Sequence, residues 1–553
     1  MKNILELTDE LGIDRQYIQP YGWDKAKIDL KYKEKLKDNK DGKLVLVTAI
    51  TPTKAGEGKT TTTIGLHDGL RKLNVNSLAC LREPSLGPVW GIKGGAVGAL
   101  KSTIIPSDDI NLHFTGDFHA LTSTINLMSA IIENHIWQGN ELRIDPRRIE
   151  WKRALDVNDR SLRRVIVNAD GTTGQSVEIK KSPEAYQDHE QEFVITVASE
   201  LMTILTISQT EEEFMERVNN IIAAYDYDGN PVRFGQFNCS KAILKMMRNA
   251  MNPNLVQTLE ENPVLVHCGP FANISIGVNS INATKMALKM ADVVVTEAGF
   301  GSDLGAEKFL DIGCQLGGYS PDAVVLVATV RALKLHGGVA FEDLEKENVD
   351  AMLAGTCNLK KHFENMSLYG VPVVVAINRF PSDTDAELEA LYLWCRDNNM
   401  DVMVNTAALE GGMGAVPLAK LVLSKLDWPA FRPAEKTFKP LYPIGKDTWS
   451  IDDKIGHICK QIYGADKIEY SPEALEQMKK ITEMGYAGLP VCISKTPNSL
   501  TDDPKVLGAP TGFTIHIREV RLYAGAGLIV PLSGKLLLMP GLPKEPRCLD
   551  KFN

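Results

Sequence analysis

The feature that most constrains this chain is a glycine-rich loop between an apolar segment and a helical one, within residues 44–72. The segment reads LVLVTAITPTKAGEGKTTTTIGLHDGLRK, which predicts a buried strand, a loop ending at Gly58-Lys59-Thr60, and a helix. Small residues let backbone N–H groups surround a phosphate chain, and the positive end of the helix points at the same anion. The alternative is an ordinary strand–turn–helix connection. The pattern favours a nucleotide-binding loop.

Individual loop positions have expected roles. Lys59 adds a full positive charge, and Thr60 is placed to offer its hydroxyl to Mg²⁺. Such loops usually begin with Gly, and here that position is Thr53. We predict that the nucleotide phosphates are bound by Thr53, Lys54, Ala55, Gly56, Glu57, Gly58, Lys59 and Thr60, with Thr60 as the metal ligand.

Short apolar, β-branched segments recur along the chain, each followed by a longer segment of helical pattern. They are Leu44–Ile50, Val264–His267, Val293–Thr296, Val324–Thr329 and Val371–Ile377. Such alternation predicts an α/β fold whose core is a P-loop NTPase-like parallel sheet covered on both faces. Because ligands of such sheets bind at the carboxyl ends of the strands, we expect functional residues just after these segments.

The chain divides by composition into three predicted regions. A nucleotide-binding core takes residues 1–139 and 236–350, and an inserted, largely helical subdomain takes residues 140–235. Residues 351–553 form an α/β C-terminal region, whose Gly- and Pro-rich end alternates apolar and polar residues. That alternation predicts an antiparallel sheet.

Charge and cysteine content exclude several classes of protein. The net charge of −9 argues against a general nucleic-acid or anionic-membrane surface. No apolar segment approaches the roughly 20 residues that span a bilayer, and the amphipathic start has no signal-peptide pattern. Nine cysteines without a C-x-x-C pair indicate reduced thiols. We expect a cytoplasmic protein without nucleic-acid or membrane partners.

A second anion-binding loop is predicted at REPSLGPVWGIKGG, residues 82–95, directly after a probable strand. Arg82 suits the binding of several oxygens of a phosphate or acyl phosphate, and Glu83 follows it. The alternative is a loop with a surface salt bridge. Its position one βα unit after the phosphate loop favours function.

Two further segments carry candidate residues. In DDINLHFTGDFH, Asp117 is a candidate for holding Mg²⁺ through water or accepting a proton, and His113 for orienting a substrate. A lone His is usually structural, so that alternative stays open. In VATVRALKLHGG, Arg331 follows an apolar strand and is equally compatible with a solvated helix start. Asn378 ends another strand, where P-loop proteins often read the base.

Taken together, these segments resemble the formate–tetrahydrofolate ligase family. The resemblance runs from about residue 40 to 545 and includes TPTKAGEGKTTT, REPSLGP, DINLHFTGDFHA, TEAGFGSDLGAEKF, VATVRALKLHGG, VPVVVAINRFPSDT and DDPKVLGAPTGFTI. It implies an ATP-dependent enzyme in which formate attacks the γ-phosphate of MgATP, giving formyl phosphate. The N10 amine of tetrahydrofolate then attacks the formyl carbon and releases phosphate.

The resemblance also implies residue roles and partners. Lys59 would contact the transferred phosphoryl group, and Arg82 would stabilise its charge and hold formyl phosphate. Phe380 would stack on the folate ring system. Asp117 would handle Mg²⁺ or a proton. Family members are typically homotetramers that use a monovalent cation such as K⁺ or NH₄⁺.

Two departures from the family pattern lie on the expected folate side. Ala408 stands where the family usually has a Trp that stacks on folate, and Met413 replaces an acid. Val97-Gly98-Ala99-Leu100 also replaces a glycine-rich continuation. These changes leave open a divergent relative that activates formate or another small acid for a different acceptor. A P-loop switch ATPase is a third alternative, although it would not require the REPSLGP and NLHFTGD loops.

Overall fold

The structure is a computed structural model of the 553-residue chain. It describes residues 1–54, 56–93, 96–167, 188–426, 437–445, 449–534 and 537–549. The strands are β1 (Ile18–Tyr21), β2 (Lys25–Ile28), β3 (Lys43–Ala49), β4 (Ser77–Leu81), β5 (Gly98–Ala99), β6 (Ser102–Ile105), β7 (Ile144–Ile149), β8 (Arg153–Ala154), β9 (Val165–Val167), β10 (His189–Gln191), β11 (Phe193–Val194), β12 (Ile222–Asp226), β13 (Pro231–Arg233), β14 (Asn254–Thr258), β15 (Pro263–Val266), β16 (Val293–Glu297), β17 (Ala323–Ala328), β18 (Val373–Asn378), β19 (Asp401–Asn405), β20 (Lys467–Tyr470), β21 (Thr514–Tyr523) and β22 (Leu528–Ser533).

Helices cover the sheets and connect their strands. They are α1 (Ile4–Glu10), α2 (Tyr32–Leu36), α3 (Lys59–Lys72), α4 (Leu86–Pro88), α5 (Ser107–Asn111), α6 (Asp117–Trp137), α7 (Glu200–Ile207), α8 (Glu211–Asn220), α9 (Ser240–Met247), α10 (Ile281–Met290), α11 (Cys314–Gly317), α12 (Val330–His336), α13 (Val349–Ala354), α14 (Thr356–Ser367), α15 (Asp385–Asp397), α16 (Ala407–Glu410), α17 (Gly412–Leu423), α18 (Ile451–Ile458) and α19 (Pro472–Glu483).

Among the described residues, twelve strands form one central sheet, with the strand that precedes the phosphate loop near its middle. The neighbouring strands β15-β4-β16-β3-β17-β18-β19 are all parallel, while β14 and the strands beyond it pair antiparallel. Apart from the edge strand β19, the parallel strands are buried along nearly their whole length, which explains their continuous apolar sequences. The predicted α/β class with a parallel core is confirmed.

Helices pack on both faces of β3 because its side chains alternate. Val45 and Val47 share a core with Leu66 of α3 and Leu418 of α17, whereas Leu46 lies in the core on the other face. Helix α17 approaches α3 closely because α3 carries glycines on that side. A Cβ at position 69 would lie 3.2 Å from the Cβ of Ala415, tighter than ordinary contact.

The inserted segment is less helical than predicted. Helices α7 and α8 supply part of the predicted helical content, but the strands β7 to β11 precede them in the chain and β12 and β13 follow them. Helix α8 ends at Asn220, and the apolar residues that follow form β12, which pairs with β7 and β13. A short apolar run does not distinguish strand from helix, and pairing decides it here. The boundaries of the three regions stay predictions.

The C-terminal region contains the predicted antiparallel pair. Strands β21 and β22 pair antiparallel, and β20 adds to β21 in parallel. Across the described ranges, no helix is long and apolar enough to cross a membrane.

We expect the stability of the fold to depend on three buried histidines, His67, His267 and His362. Burial lowers their pKa values from 6.5 to about 3, about 4 and about 4, respectively. Because the folded-state pKa values lie below the unfolded value, the unfolded state binds more protons, and stability is lost as the pH falls below about 6.5.

The measurement is urea unfolding at pH 7.5 and pH 5 for the wild type and His67→Gln. Each histidine contributes about 2 kcal/mol to the loss at pH 5, so we expect the variant to lose about 2 kcal/mol less between the two conditions. An equal loss in both proteins would contradict a neutral His67 in the folded state.

Candidate functional site

The predicted phosphate-binding loop, residues 53–60 and called the phosphate loop below, adopts the backbone that its glycines permit. Gly56 and Gly58 have φ values of 78° and 71°, in the left-handed region. A Cβ at Gly58 would lie 2.3 Å from Nδ2 of Asn378, so a side chain has no room there. Helix α3 begins directly after this loop, and its first turn has no capping side chain. The predicted loop residue Ala55 lies outside the described residues.

Glu57 holds the loop from within. Its buried carboxylate accepts a hydrogen bond from the backbone N–H of Thr53 at 2.6 Å and another from the hydroxyl of Thr329. The backbone oxygen of Glu57 accepts a hydrogen bond from Nδ2 of Asn378 at 3.1 Å. The ends of β17 and β18 therefore fix the loop. The sequence suggested that Asn378 recognises the nucleotide base, and in the structure its side-chain amide binds the backbone of the phosphate loop.

Glu297 at the end of β16 is the central acid of the site. The hydroxyl of Thr60 donates to its Oε2 at 2.8 Å and lies 3.1 Å from its Oε1. Glu297 is only 6% exposed, and β16 lies beside β3 in the sheet. Glu297 comes directly after the apolar segment Val293–Thr296, where the sequence predicts functional residues, but it is not among the predicted site residues. The available signal was an acid at the end of an apolar strand.

Two cations lie close enough to Glu297 to interact with it electrostatically. Burial lowers the pKa of Lys59, and the Glu297 and Glu57 carboxylates partly offset that effect. Burial also lowers the pKa of Arg82, with Glu297 opposing it. Lys59 lies in the connection after β3, Arg82 follows β4, and Glu297 ends β16. Groups that are distant in the sequence therefore come together at the carboxyl ends of three neighbouring strands.

Arg82 keeps donor capacity available. Its Nη1 donates to the backbone oxygen of Pro270 at 3.3 Å, and its buried Nε has no hydrogen-bond partner among the described residues. Gly299 permits this position, because a Cβ there would lie 2.7 Å from Nη1. A guanidinium with a free donor beside Lys59 is suited to an oxyanion such as a phosphoryl group.

The donor set fits a magnesium–nucleotide complex. Mg²⁺ usually takes one or two carboxylates and completes its shell with phosphate oxygens and water. Thr60 and Glu297 supply a hydroxyl and a carboxylate beside the start of α3. Within the described part of the chain, no group of three or more His, Cys, Asp or Glu side chains could hold a metal alone. The remaining ligands would have to come from the nucleotide and solvent.

Phe380 lies beside the phosphate loop. Its Cζ would be 3.9 Å from a Cβ at Gly58, and its ring is half-buried. The guanidinium carbon of Arg331 lies 3.7 Å from the ring centre. The backbone N–H of Phe380 donates to Oδ2 of Asp383 at 2.7 Å. The predicted folate-stacking residue is therefore near the predicted nucleotide site, and its role stays a prediction.

Glu83 and Asp117 belong to a second cluster of charged groups. Lys27 is fully buried, and its Nζ lies 2.7 Å from Oδ1 and 2.8 Å from Oδ2 of Asp117. Asn254 donates to the same carboxylate at 2.9 Å. Burial raises the pKa of Glu83 well above its ordinary value, and Asp117 adds to the shift. Asp117 is thus engaged by protein groups. Its predicted role with Mg²⁺ or a proton stays a prediction.

Two predicted residues are exposed. Lys54 lies at the surface of the phosphate loop, and His113 lies at the surface four residues before Asp117. Their predicted binding roles stay predictions.

Ala408 and Met413, two of the departures from the family pattern, lie on helices that pack on α3. Helix α16 contacts α3, and a Cβ at Gly65 would lie 2.2 Å from the Cβ of Ala407. Ala408 is half-buried and accepts a hydrogen bond from the backbone N–H of Lys101 at 3.1 Å. Met413 is 63% exposed. No aromatic side chain occupies position 408 itself.

Comparison with known proteins agrees with the resemblance. A family model described as "Formate--tetrahydrofolate ligase" matches residues 1–551. A relative of the same description from Latilactobacillus sakei subsp. sakei (strain 23K) is 49% identical over 550 residues, covering 100% of this chain and 95% of the relative.

We expect Glu297→Gln to weaken metal-dependent nucleotide binding. The amide keeps the shape and can still accept from Thr60, but it removes the charge that attracts Mg²⁺. The Mg²⁺ concentration at half-maximal ADP binding should rise about tenfold or more, measured by calorimetry.

Glu200→Gln is the matched control. Glu200 lies outside the loop, and its Oε1 accepts the backbone N–H groups of Gly525 and Ala526 at 2.8 and 3.0 Å. The control should keep the wild-type Mg²⁺ dependence. An unchanged Mg²⁺ dependence in Glu297→Gln would remove Glu297 from the metal site.

Proposed function

Since this chain belongs to the formate–tetrahydrofolate ligase family, we propose that the site around Glu297 is where it activates formate with ATP. The enzyme joins formate to tetrahydrofolate in an ATP-dependent reaction. The observation that carries the site assignment is that Thr60, Lys59 and Arg82 all interact with one buried carboxylate at the end of a central strand.

In the first step, a formate oxygen attacks the γ-phosphorus of ATP. The bond from that phosphorus to the bridging oxygen of ADP breaks, giving formyl phosphate and ADP. Lys59 and Arg82 stabilise the charge on the transferred phosphoryl oxygens. The free Nε of Arg82 is the donor that supports this role. Bound Mg²⁺ would neutralise charge on the phosphates, held by Thr60 and Glu297.

In the second step, the N10 amine of tetrahydrofolate attacks the formyl carbon. The bond to the phosphate oxygen breaks, and the amine proton leaves with the phosphate as hydrogen phosphate. Formyl phosphate hydrolyses readily, so the acceptor must bind close to the phosphate loop. Phe380 supports this arrangement, because its ring lies beside Gly58.

The acceptor site uses one aromatic where the family pattern has two. Phe380 supplies one ring face, while Ala408 removes the second stacking partner. Stacking of a flat heteroaromatic ring on a side chain contributes about 1–3 kcal/mol. We therefore propose a more weakly held folate with the same chemistry. The high identity to the Latilactobacillus relative favours this interpretation over a different acceptor.

We further propose that the enzyme is a cytoplasmic homotetramer that uses a monovalent cation, K⁺ or NH₄⁺. The resemblance to the family supports the oligomer and the cation. The nine cysteines without a C-x-x-C pair support a reducing compartment.

The test of function is an initial-rate assay with MgATP and formate, with and without tetrahydrofolate, following ADP and 10-formyltetrahydrofolate together. We expect equal amounts of both products. Lys59→Ala should abolish ADP formation without changing the thermal unfolding midpoint, because it removes a charge from the phosphoryl site.

Two results would contradict the proposal. Formate-dependent ADP formation without formylated folate would mean a different acceptor, and normal turnover by Lys59→Ala would remove the loop from the chemistry.

We expect Arg82→Ala to lower kcat at least about 100-fold, because it removes a donor to the developing phosphoryl charge. ATP affinity should stay within about threefold, because the loop and Lys59 still hold the triphosphate. The measurements are steady-state kinetics and calorimetric titration with an unreactive ATP analogue. An unchanged kcat would exclude Arg82 from the transition state.

A further inference from the structure

Arg331 contacts both the Phe380 ring, the proposed acceptor platform, and the phosphate loop. It is the second residue of α12 and lies between Phe380 and the phosphate loop. Its guanidinium carbon is 3.7 Å from the centre of the Phe380 ring, which places it directly over the ring. Its Nη2 donates a hydrogen bond to the backbone oxygen of Gly56. One planar group therefore contacts both the ring and the loop.

Both partners of Arg331 are themselves held in place. Gly56 is one of the loop positions with positive φ, and the next residue, Glu57, is bound by Thr329 at the N-terminus of α12. Phe380 is fixed through its backbone N–H by Asp383 at 2.7 Å. A displacement of the ring must then move the guanidinium or break its contact with the loop.

The charge of Arg331 is retained in this position. Burial lowers its pKa, while the Glu57 and Asp383 carboxylates oppose the shift, and an arginine stays protonated at neutral pH in either case. A cation that lies over an aromatic face and is shielded from water gains from the interaction. Its Nε is buried without a hydrogen-bond partner among the described residues, so Gly56 and the ring are the contacts that fix its orientation.

We propose that Arg331 is a positioning residue that couples the Phe380 ring to the geometry of the phosphate-binding loop. The ring then contributes to nucleotide binding as well as to acceptor binding. This inference rests on the proposed function only for the assignment of Phe380 as the acceptor platform. The link from ring to loop depends on the contacts alone.

The experiment is calorimetric titration of the full-length enzyme with an unreactive MgATP analogue, without formate or folate. Phe380→Leu removes the ring face but keeps an apolar side chain, and we expect it to weaken nucleotide binding about 3- to 10-fold. Phe380→Tyr keeps the ring face and should bind the nucleotide like the wild type. An unchanged affinity in Phe380→Leu would overturn the proposal.

A double-mutant cycle separates coupling from general damage. Arg331→Met keeps an unbranched apolar stem without donors, and we expect it to weaken nucleotide binding by a similar factor. Because both changes break the same contact, the double variant should bind about as weakly as either single variant. Effects that multiply would contradict the coupling. Thermal unfolding of each variant shows whether the fold is preserved. If Arg331→Met does not fold, Arg331→Lys takes its place, because it keeps the charge but not the planar guanidinium.

The same variants distinguish this inference from the proposed function. The KM for tetrahydrofolate should rise in Phe380→Leu if the ring is also the acceptor platform. A raised KM for tetrahydrofolate with unchanged nucleotide affinity would support Phe380 as the acceptor platform and overturn its coupling to the phosphate loop. Weakened nucleotide binding with an unchanged KM would support the coupling and remove the folate role of Phe380.

Discussion

A buried carboxylate has to be compensated, and that requirement organises the end of the central sheet. Glu297 is almost inaccessible to solvent, and water cannot stabilise its charge there. The hydroxyl of Thr60 and the positive charges of Lys59 and Arg82 do so instead. These groups follow β3, β4 and β16, so their meeting depends on the strand order of the sheet. An incoming phosphate adds negative charge beside the Glu297 carboxylate, and Mg²⁺ bound with the phosphate would offset that added charge.

The site has two electrostatic parts with different consequences. Around Glu297, Lys59 and an Arg82 with an unpartnered Nε among the described residues favour an anionic ligand. Around Asp117, the buried Lys27 already balances the acid, and Glu83 is pushed toward its neutral form because burial and Asp117 both disfavour a second negative charge. The two parts meet at the end of β4, since Glu83 follows Arg82 directly. Phosphoryl chemistry is therefore expected beside Glu297, and the predicted role of Asp117 with Mg²⁺ or a proton stays a prediction.

The sequence predicted those parts that depend on local pattern. The apolar segments became parallel strands with ends within a residue or two, and the glycines of the phosphate loop adopt the conformation that their type permits. Contacts between residues that are distant in the sequence could not be predicted from local pattern. Lys27 pairs with Asp117, which is 90 residues away in the chain, and Thr60 binds Glu297, which is 237 residues away. The strands of the inserted segment were missed because short apolar runs acquire their structure from pairing. The regional boundaries and residue roles stay predictions.

The acid inside the phosphate loop has a consequence for turnover. A loop built only to retain phosphate would gain from having neutral residues throughout, yet Glu57 introduces a negative charge close to Lys59. Its hydrogen bonds with Thr53 and Thr329 shape the loop before any ligand arrives. Glu57 thus preorganises the phosphate loop but lowers the electrostatic affinity of the loop for phosphate. An enzyme that must discharge ADP and phosphate in every cycle benefits from that exchange, because a pocket that held its products too firmly would limit its own rate.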